Sequence, residues 1–147
     1  MILFDTSFIV ALLSKKDVFH GKAKEIFEMI PDEEELAVHY LVMQETYTVM
    51  CRRAAEQGYN LEEMFSTLEG FFDEVGIMNN LPDEGEILAI MKESKCGLSY
   101  VDSVLAHLNR KAGFEVLTFD KRLQEHLSPP QIRPSPQLLL PKLQIFR

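Results

Sequence analysis

The chain has 147 residues, of which 46% are hydrophobic and 26% charged, and its formal net charge is −8. That length and balance fit one globular domain with a real core; they exclude a disordered chain and, for want of a long apolar run, a membrane span. The acidic surplus disfavours a broad surface that grips duplex DNA by phosphate neutralisation, but a single strand held at a few points stays open where metal ions cancel the local charge.

Residues 1–5 read as a first strand, Met1-Ile2-Leu3-Phe4 closed by Asp5. No basic region precedes this apolar run, so a signal peptide is not expected. Helical spacing follows at Phe8, Ile9, Leu12 and Leu13. A second helix is predicted from Asp17, as N-cap, through Ala23, Ile26, Phe27 and Ile30 to a stop at Pro31. The acidic run 32–35 reads as a solvated turn, and Leu36-Ala37-Val38-His39 as the second strand. A long helix is predicted from about Leu41 to Gln57, closed by Gly58. Another spans residues 61–72, and its apolar face of Leu61, Met64, Phe65, Leu68, Phe71 and Phe72 reads as core or as a groove for a partner. A short strand is expected over 75–78, then a helix capped by Asp83 and ending near Gly97. Ser99 with Asp102 three residues on forms a variant capping box, and its helix runs through Val104, Leu105 and Leu108 to Gly113 as C-cap. Residues 114–119 form the next strand and 121–127 a short helix.

Strands alternating with helices imply an α/β fold around a mainly parallel sheet. No linker or repeat divides the chain, so residues 1–147 are assigned to a single domain. Its end, at about 128–147, is a Pro-rich extension with Pro129, Pro130, Pro134, Pro136 and Pro141. This tail is expected to pack on its own domain, with 138–140 and 143–146 as candidates for an edge strand or a partner contact.

Four carboxylates carry the chemistry: Asp5, Glu45, Asp102 and Asp120. Asp5 and Asp120 end apolar runs, where open parallel sheets build their sites. Glu45 falls about one turn into its helix, and Asp102 in the first turn of its own. Taken singly, Asp102 is adequately explained as a capping residue and Glu45 as a solvated helix acid. Taken together they describe an acidic pocket whose like charges raise one another's pKa values unless a cation relieves them. All-oxygen ligands suit Mg²⁺ or Mn²⁺, one or two ions, rather than Zn²⁺. Such a site can activate water for in-line attack on a phosphodiester. The other metal-binding residue types are uninformative: Cys51 and Cys96 lack paired spacing and read as small core or surface thiols in a reducing compartment, and His20, His39, His107 and His126 have no ligand spacing. Lys15, Lys16, Arg52, Arg53, Lys121 and Arg122 are candidate phosphate contacts, the last two being next to Asp120.

Four segments resemble one family. Phe4-Asp5-Thr6-Ser7-Phe8-Ile9-Val10-Ala11 is similar to the opening strand and turn of PIN-domain nucleases, and Gln44-Glu45 to the family's second acid. Leu98-Ser99-Tyr100-Val101-Asp102-Ser103 resembles its third motif, and Leu117-Thr118-Phe119-Asp120-Lys121-Arg122-Leu123 its fourth. The resemblance covers roughly residues 1–127. It implies a three-layer α/β/α sandwich and a Mg²⁺- or Mn²⁺-dependent ribonuclease of the cytoplasm. It further implies a toxin of a VapBC-type toxin–antitoxin pair, neutralised by an antitoxin protein and forming a homodimer, with no membrane partner. By the same resemblance Ser7 supports a metal ligand or water and Thr118 orients Asp120; the bland alternative for both is ordinary turn and strand chemistry.

The leading function is therefore endonucleolytic cleavage of single-stranded or looped RNA. An Asp-based phosphotransfer protein is the second reading, but haloacid-dehalogenase phosphatases need an Asp two residues after the first, and Ser7 stands there. A non-catalytic binding module, with a structural ion in the pocket and a tail that recruits a partner, is the third.

Overall fold

Ile2, Leu3 and Phe4 are all buried, and a strand buried on both faces belongs inside a parallel sheet. In the computed structural model, which describes residues 1–129, they lie there. Four strands, β1 (Ile2–Phe4), β2 (Leu36–His39), β3 (Ile77–Met78) and β4 (Glu115–Leu117), pair in the order β3-β2-β1-β4. Every pairing is parallel. Helices α1 (Thr6–Leu13) and α2 (His20–Glu28) connect β1 to β2, and α3 (Tyr40–Gln57) and α4 (Leu61–Val75) connect β2 to β3. Helices α5 (Glu84–Glu93) and α6 (Tyr100–Ala112) then return the chain to β4, and α7 (Lys121–Gln124) follows.

The first two crossovers step across the sheet one way and the third steps back past β2 and β1 to the far side. With right-handed crossovers, this reversal puts α1–α4 on one face and α5–α6 on the other. The helix contacts agree: α1 packs on α2 and α3, α3 on α4, and α5 on α6. The result is the three-layer α/β/α sandwich that the family resemblance implies, built on the parallel sheet expected from the alternation of strands and helices. Because all strands run parallel, their carboxyl ends share one edge. Phe4 pairs with Leu117, and the Asp5 N–H donates to the Leu117 carbonyl at 3.0 Å. Asp5 and Thr118 therefore leave the sheet side by side, at the crevice between β1 and β4 where the connections diverge.

Several boundaries differ from the sequence expectation. Asp17 does not cap α2: the helix begins at His20, with Phe19 in the cap position and no side-chain cap bond. Asp17 instead accepts the Phe19 N–H on Oδ1 at 2.8 Å and Arg53 on Oδ2 at 2.7 Å. Helix α4 runs on to Val75 because Met64, Leu68, Phe71, Phe72 and Val75 keep the helical interval against the core, and Gly76 with φ 84° ends it. The strand expected over 75–78 is thus only Ile77–Met78. On α4, Leu61 and Phe65 are exposed rather than core. Helix α5 stops at Glu93, because Lys95 and Cys96 adopt left-handed conformations (φ 54° and 58°) and turn the chain towards Ser99. The last strand and helix are also shorter than expected, since residues 118–120 leave the sheet to build the site. Both cysteines are free and exposed. The apolar stretches 138–140 and 143–146 lie outside the described residues.

Candidate active site

Asp5 is 3% exposed and caps α1. Its Oδ2 accepts the Ser7 hydroxyl at 2.7 Å, the Thr118 hydroxyl at 2.7 Å and the Ser7 N–H at 3.3 Å. The two hydroxyl oxygens are 3.0 Å apart, but each has one proton and both protons point at Asp5, so that approach is a contact and not a third bond. Their lone pairs take backbone donors: Ser7 Oγ accepts the Phe119 N–H at 2.9 Å, and Thr118 Oγ1 accepts the Asp120 N–H at 2.9 Å. Ser7 and Thr118 thus lace the end of β1 to the end of β4.

The other acids are tethered in a similar way. Glu45, on α3, accepts the Thr6 hydroxyl of α1 on Oε2. Asp102 completes the capping box of α6: its Oδ2 accepts the Ser99 N–H at 3.0 Å while Ser99 Oγ accepts the Asp102 N–H at 3.1 Å. Asp120 caps α7, with Oδ1 accepting the Arg122 N–H at 2.8 Å. On Glu45, Asp102 and Asp120 the hydrogen bonds gather on a single oxygen, and on Asp5 the Ser7 and Thr118 bonds do the same, with the Thr6 backbone as a further partner. Where one oxygen takes the bonds, it orients the group and the other is left to ligate.

All four carboxylates line one cavity of about 550 Å³. Burial raises the pKa of Asp5 most; hydrogen bonds from Ser7 and Thr118 oppose it, and the charge of Asp102 adds to it. Glu45 is also raised, first by burial, against the Thr6 bond, then by the charges of Asp5, Asp102 and Asp120. The acids therefore feel one another. No group of three or more carboxylate, imidazole or thiol side chains among the described residues stands close enough to hold an ion by direct contact alone. The donors themselves are all oxygens, the kind that suits a Mg²⁺-like ion, which takes one or two carboxylates and keeps several waters.

The basic side chain in the cavity lining, among the described residues, is Arg53, paired with Asp17 at 2.7 Å. Lys121 and Arg122 are exposed on α7 and do not line the cavity. No histidine lines it either: His39 is buried at the start of α3, and His20 bonds the Ala11 carbonyl through Nδ1 at 2.9 Å. Sequence reasoning missed Thr6, Asp17 and Phe19, all of which line the cavity. Thr6 stands beside Asp5 in the sequence, but its bond to Glu45 spans 39 positions and has no local signature.

A parallel α/β/α sandwich with an acidic cavity at the carboxyl edge of its sheet is the class of protein that these observations define. Residues 2–126 match the PIN domain model, and the chain belongs to that family. Similar solved structures include two that illustrate the likeness. One is PAE2754 from Pyrobaculum aerophilum, 21% identical over 86% of this chain and 78% of that one, with a TM-score of 0.65. The other is VapC20 of Mycobacterium tuberculosis, a sarcin-ricin loop cleaving toxin, 20% identical over 85% of this chain and 94% of that one, with a TM-score of 0.64. At such identities the likeness is one of fold. Among curated proteins none matches significantly.

Proposed function

We propose that the chain is a divalent-metal-dependent endoribonuclease that hydrolyses RNA phosphodiester bonds in the acidic cavity. Asp5, Glu45, Asp102 and Asp120 would hold one or two Mg²⁺ or Mn²⁺ ions. The observation that carries this reading is the convergence of those carboxylates, from four separate segments of the chain, on one cavity. Membership of the PIN domain family supports it. Bound there, the ion supplies Lewis-acid stabilisation of the phosphodiester and acidifies the attacking water.

The chain's own residues supply the rest. Ser7 and Thr118 lock the rotamer of Asp5, Thr6 locks Glu45, and the caps of α6 and α7 fix Asp102 and Asp120. The cluster is thus set before substrate arrives, and little reorganisation is needed in the transition state. Lys121 and Arg122, which follow Asp120 in the chain, are proposed contacts to the RNA backbone.

The fold shared with VapC20 supports a finer proposal: a toxin of a toxin–antitoxin pair, a homodimer acting in the cytoplasm and neutralised by an antitoxin protein. The nuclease domain is proposed to occupy the chain as one unit, with the Pro-rich tail as an extension of it. No helix among the described residues is long and apolar enough to cross a membrane.

The test is cleavage of single-stranded RNA with Mn²⁺. Asp5→Asn and Asp102→Asn are expected to abolish it while circular dichroism and the thermal midpoint show a retained fold, since asparagine can still accept the cap bonds. Undiminished cleavage by these folded variants overturns the nuclease reading. Stabilisation by Mn²⁺ with no cleavage of any RNA replaces it with the non-catalytic module.

A further inference from the structure

We infer, building on the nuclease reading, that Phe19 is a stacking platform for a base of single-stranded RNA beside the phosphodiester held in the acidic cavity. Phe19 lines that cavity and is 46% exposed. One of its faces is covered: its ring lies 4.7 Å from that of Phe119, with 6° between the planes. Phe119 in turn stacks on Phe8 at 5.5 Å and 11°, and Phe8 on Phe4 at 5.5 Å and 16°. Phe4 and Phe8 are buried. A series of near-parallel rings therefore runs from the core to the cavity and ends on the exposed residue Phe19. A planar base continues such a series in its own geometry.

The series is tied to the chemistry. Phe4 precedes Asp5 and Phe119 precedes Asp120, so two of its rings are anchored on backbone that also carries a cavity acid. The exposed end is held as firmly. Asp17 accepts the Phe19 N–H at 2.8 Å and Arg53 at 2.7 Å, and the Phe19 carbonyl accepts the Ala23 N–H at 2.8 Å. Arg53 and Asp17 are thus positioning residues for the platform, which is formed before any ligand arrives.

The occupant follows from chemistry. The acids select, through a cation, a ligand that carries phosphate, and the ring selects one that carries a flat π-face next to it. Bases of a duplex hide their faces in the stack, so the strand must be single or looped. A net charge of −8 disfavours holding that strand by a broad electrostatic surface. Stacking on an aromatic ring is an uncharged source of affinity and tolerates any base.

The test uses the full chain carrying Asp5→Asn, so that bound RNA survives, with Mn²⁺ and a labelled single-stranded oligoribonucleotide of mixed sequence. Adding Phe19→Ala is expected to weaken binding by about tenfold. Phe19→Leu, which keeps apolar bulk without a π-face, is expected to lose as much, and Phe19→Trp to restore it. The sequence contains no tryptophan, so the indole introduced by Phe19→Trp is a sole reporter, and its emission is expected to be quenched by the single strand and not by the matching duplex. Equal affinity with and without Phe19→Ala, an unquenched emission at saturation, or a parent that binds no single strand overturns the platform. Cleavage by the chain with Asp5 intact is scored separately. If it cleaves and Phe19→Ala leaves KM unchanged, the nuclease reading stands and the platform falls. If it does not cleave but binding depends on Phe19, the nuclease reading falls and the platform stands.

Discussion

Thr118 spaces two of the acids with one hydroxyl, donating to Asp5 and accepting the N–H of Asp120. Thr118→Val keeps the shape and removes both bonds. It is expected to cost about 1–3 kcal/mol in chemical unfolding, the usual penalty for unpaired buried groups. The Thr118 bond also lowers the pKa of Asp5 against the effect of burial. Without it Asp5 holds its proton to higher pH, and the acid limb of the Mn²⁺-dependent cleavage profile is expected to move up; an unmoved limb removes Thr118 from the site. Asp5 itself makes a second prediction. Its folded pKa lies above the ordinary value of 3.8. As pH rises past that value the unfolded chain ionises first, so metal-free stability falls until folded Asp5 ionises too. At neutral pH Asp5→Asn is therefore expected to raise the thermal midpoint in EDTA and to shrink the gain on adding Mn²⁺. A midpoint that drops in EDTA contradicts the strain ascribed to this carboxylate.

At the scale of the element, His39 links the sheet to α3. Its Nδ1 accepts the Leu41 N–H at 3.2 Å, which leaves the proton on Nε2, 3.1 Å from the Asn80 carbonyl. Burial holds its pKa below 6.5, with the Asn80 carbonyl opposing the shift. Protonation would remove the cap acceptor and put a cation at a helix N-terminus. The neutral ring's contribution is complete above pH 6.5 and is lost as pH falls through the lower folded value. Urea unfolding over that window is expected to weaken towards acid, and His39→Asn, which keeps an N-cap acceptor, to flatten the slope; running both in the Asp5→Asn background separates this effect from the opposite slope of Asp5. The same helix illustrates what the sequence could reveal. Gly58 and Gly113, both left-handed, closed α3 and α6 where expected, and Ser99 with Asp102 formed the capping box. These are local signals, written within a few residues. Asp17 looked like a cap by the same local rule, yet its partners are Phe19 and, 36 positions away, Arg53. Among the proposed site acids, Asp5 and Asp120 stand out locally because each closes an apolar run, whereas Glu45 and Asp102, taken singly, read as a solvated helix acid and a cap. Thr6 and Phe19 do not stand out, because only the crossing of α1 with α3 and the packing of Phe119 give them a role.

At the scale of the molecule, the proposed nuclease would have to bind a polyanion with an acidic chain and an acidic cavity. A protein that neutralises many phosphates shows a steep fall of log affinity with log salt, about −0.7 per phosphate contact on single strands. Here the cavity lining offers Arg53, already paired with Asp17, and the exposed Lys121 and Arg122 stand beside it in sequence after Asp120. Two or three contacts set a slope no steeper than about −2. On the proposed reading the divalent ion and the uncharged stack on Phe19 supply most of the affinity, and a monovalent salt displaces neither strongly. Single-strand binding by the Asp5→Asn chain, titrated from low to physiological KCl at fixed Mn²⁺, is expected to weaken along that shallow line, while Lys121→Gln with Arg122→Gln flattens it further. A slope several-fold steeper means that the RNA lies across a basic surface away from the cavity, and the cavity is then not where the strand is held.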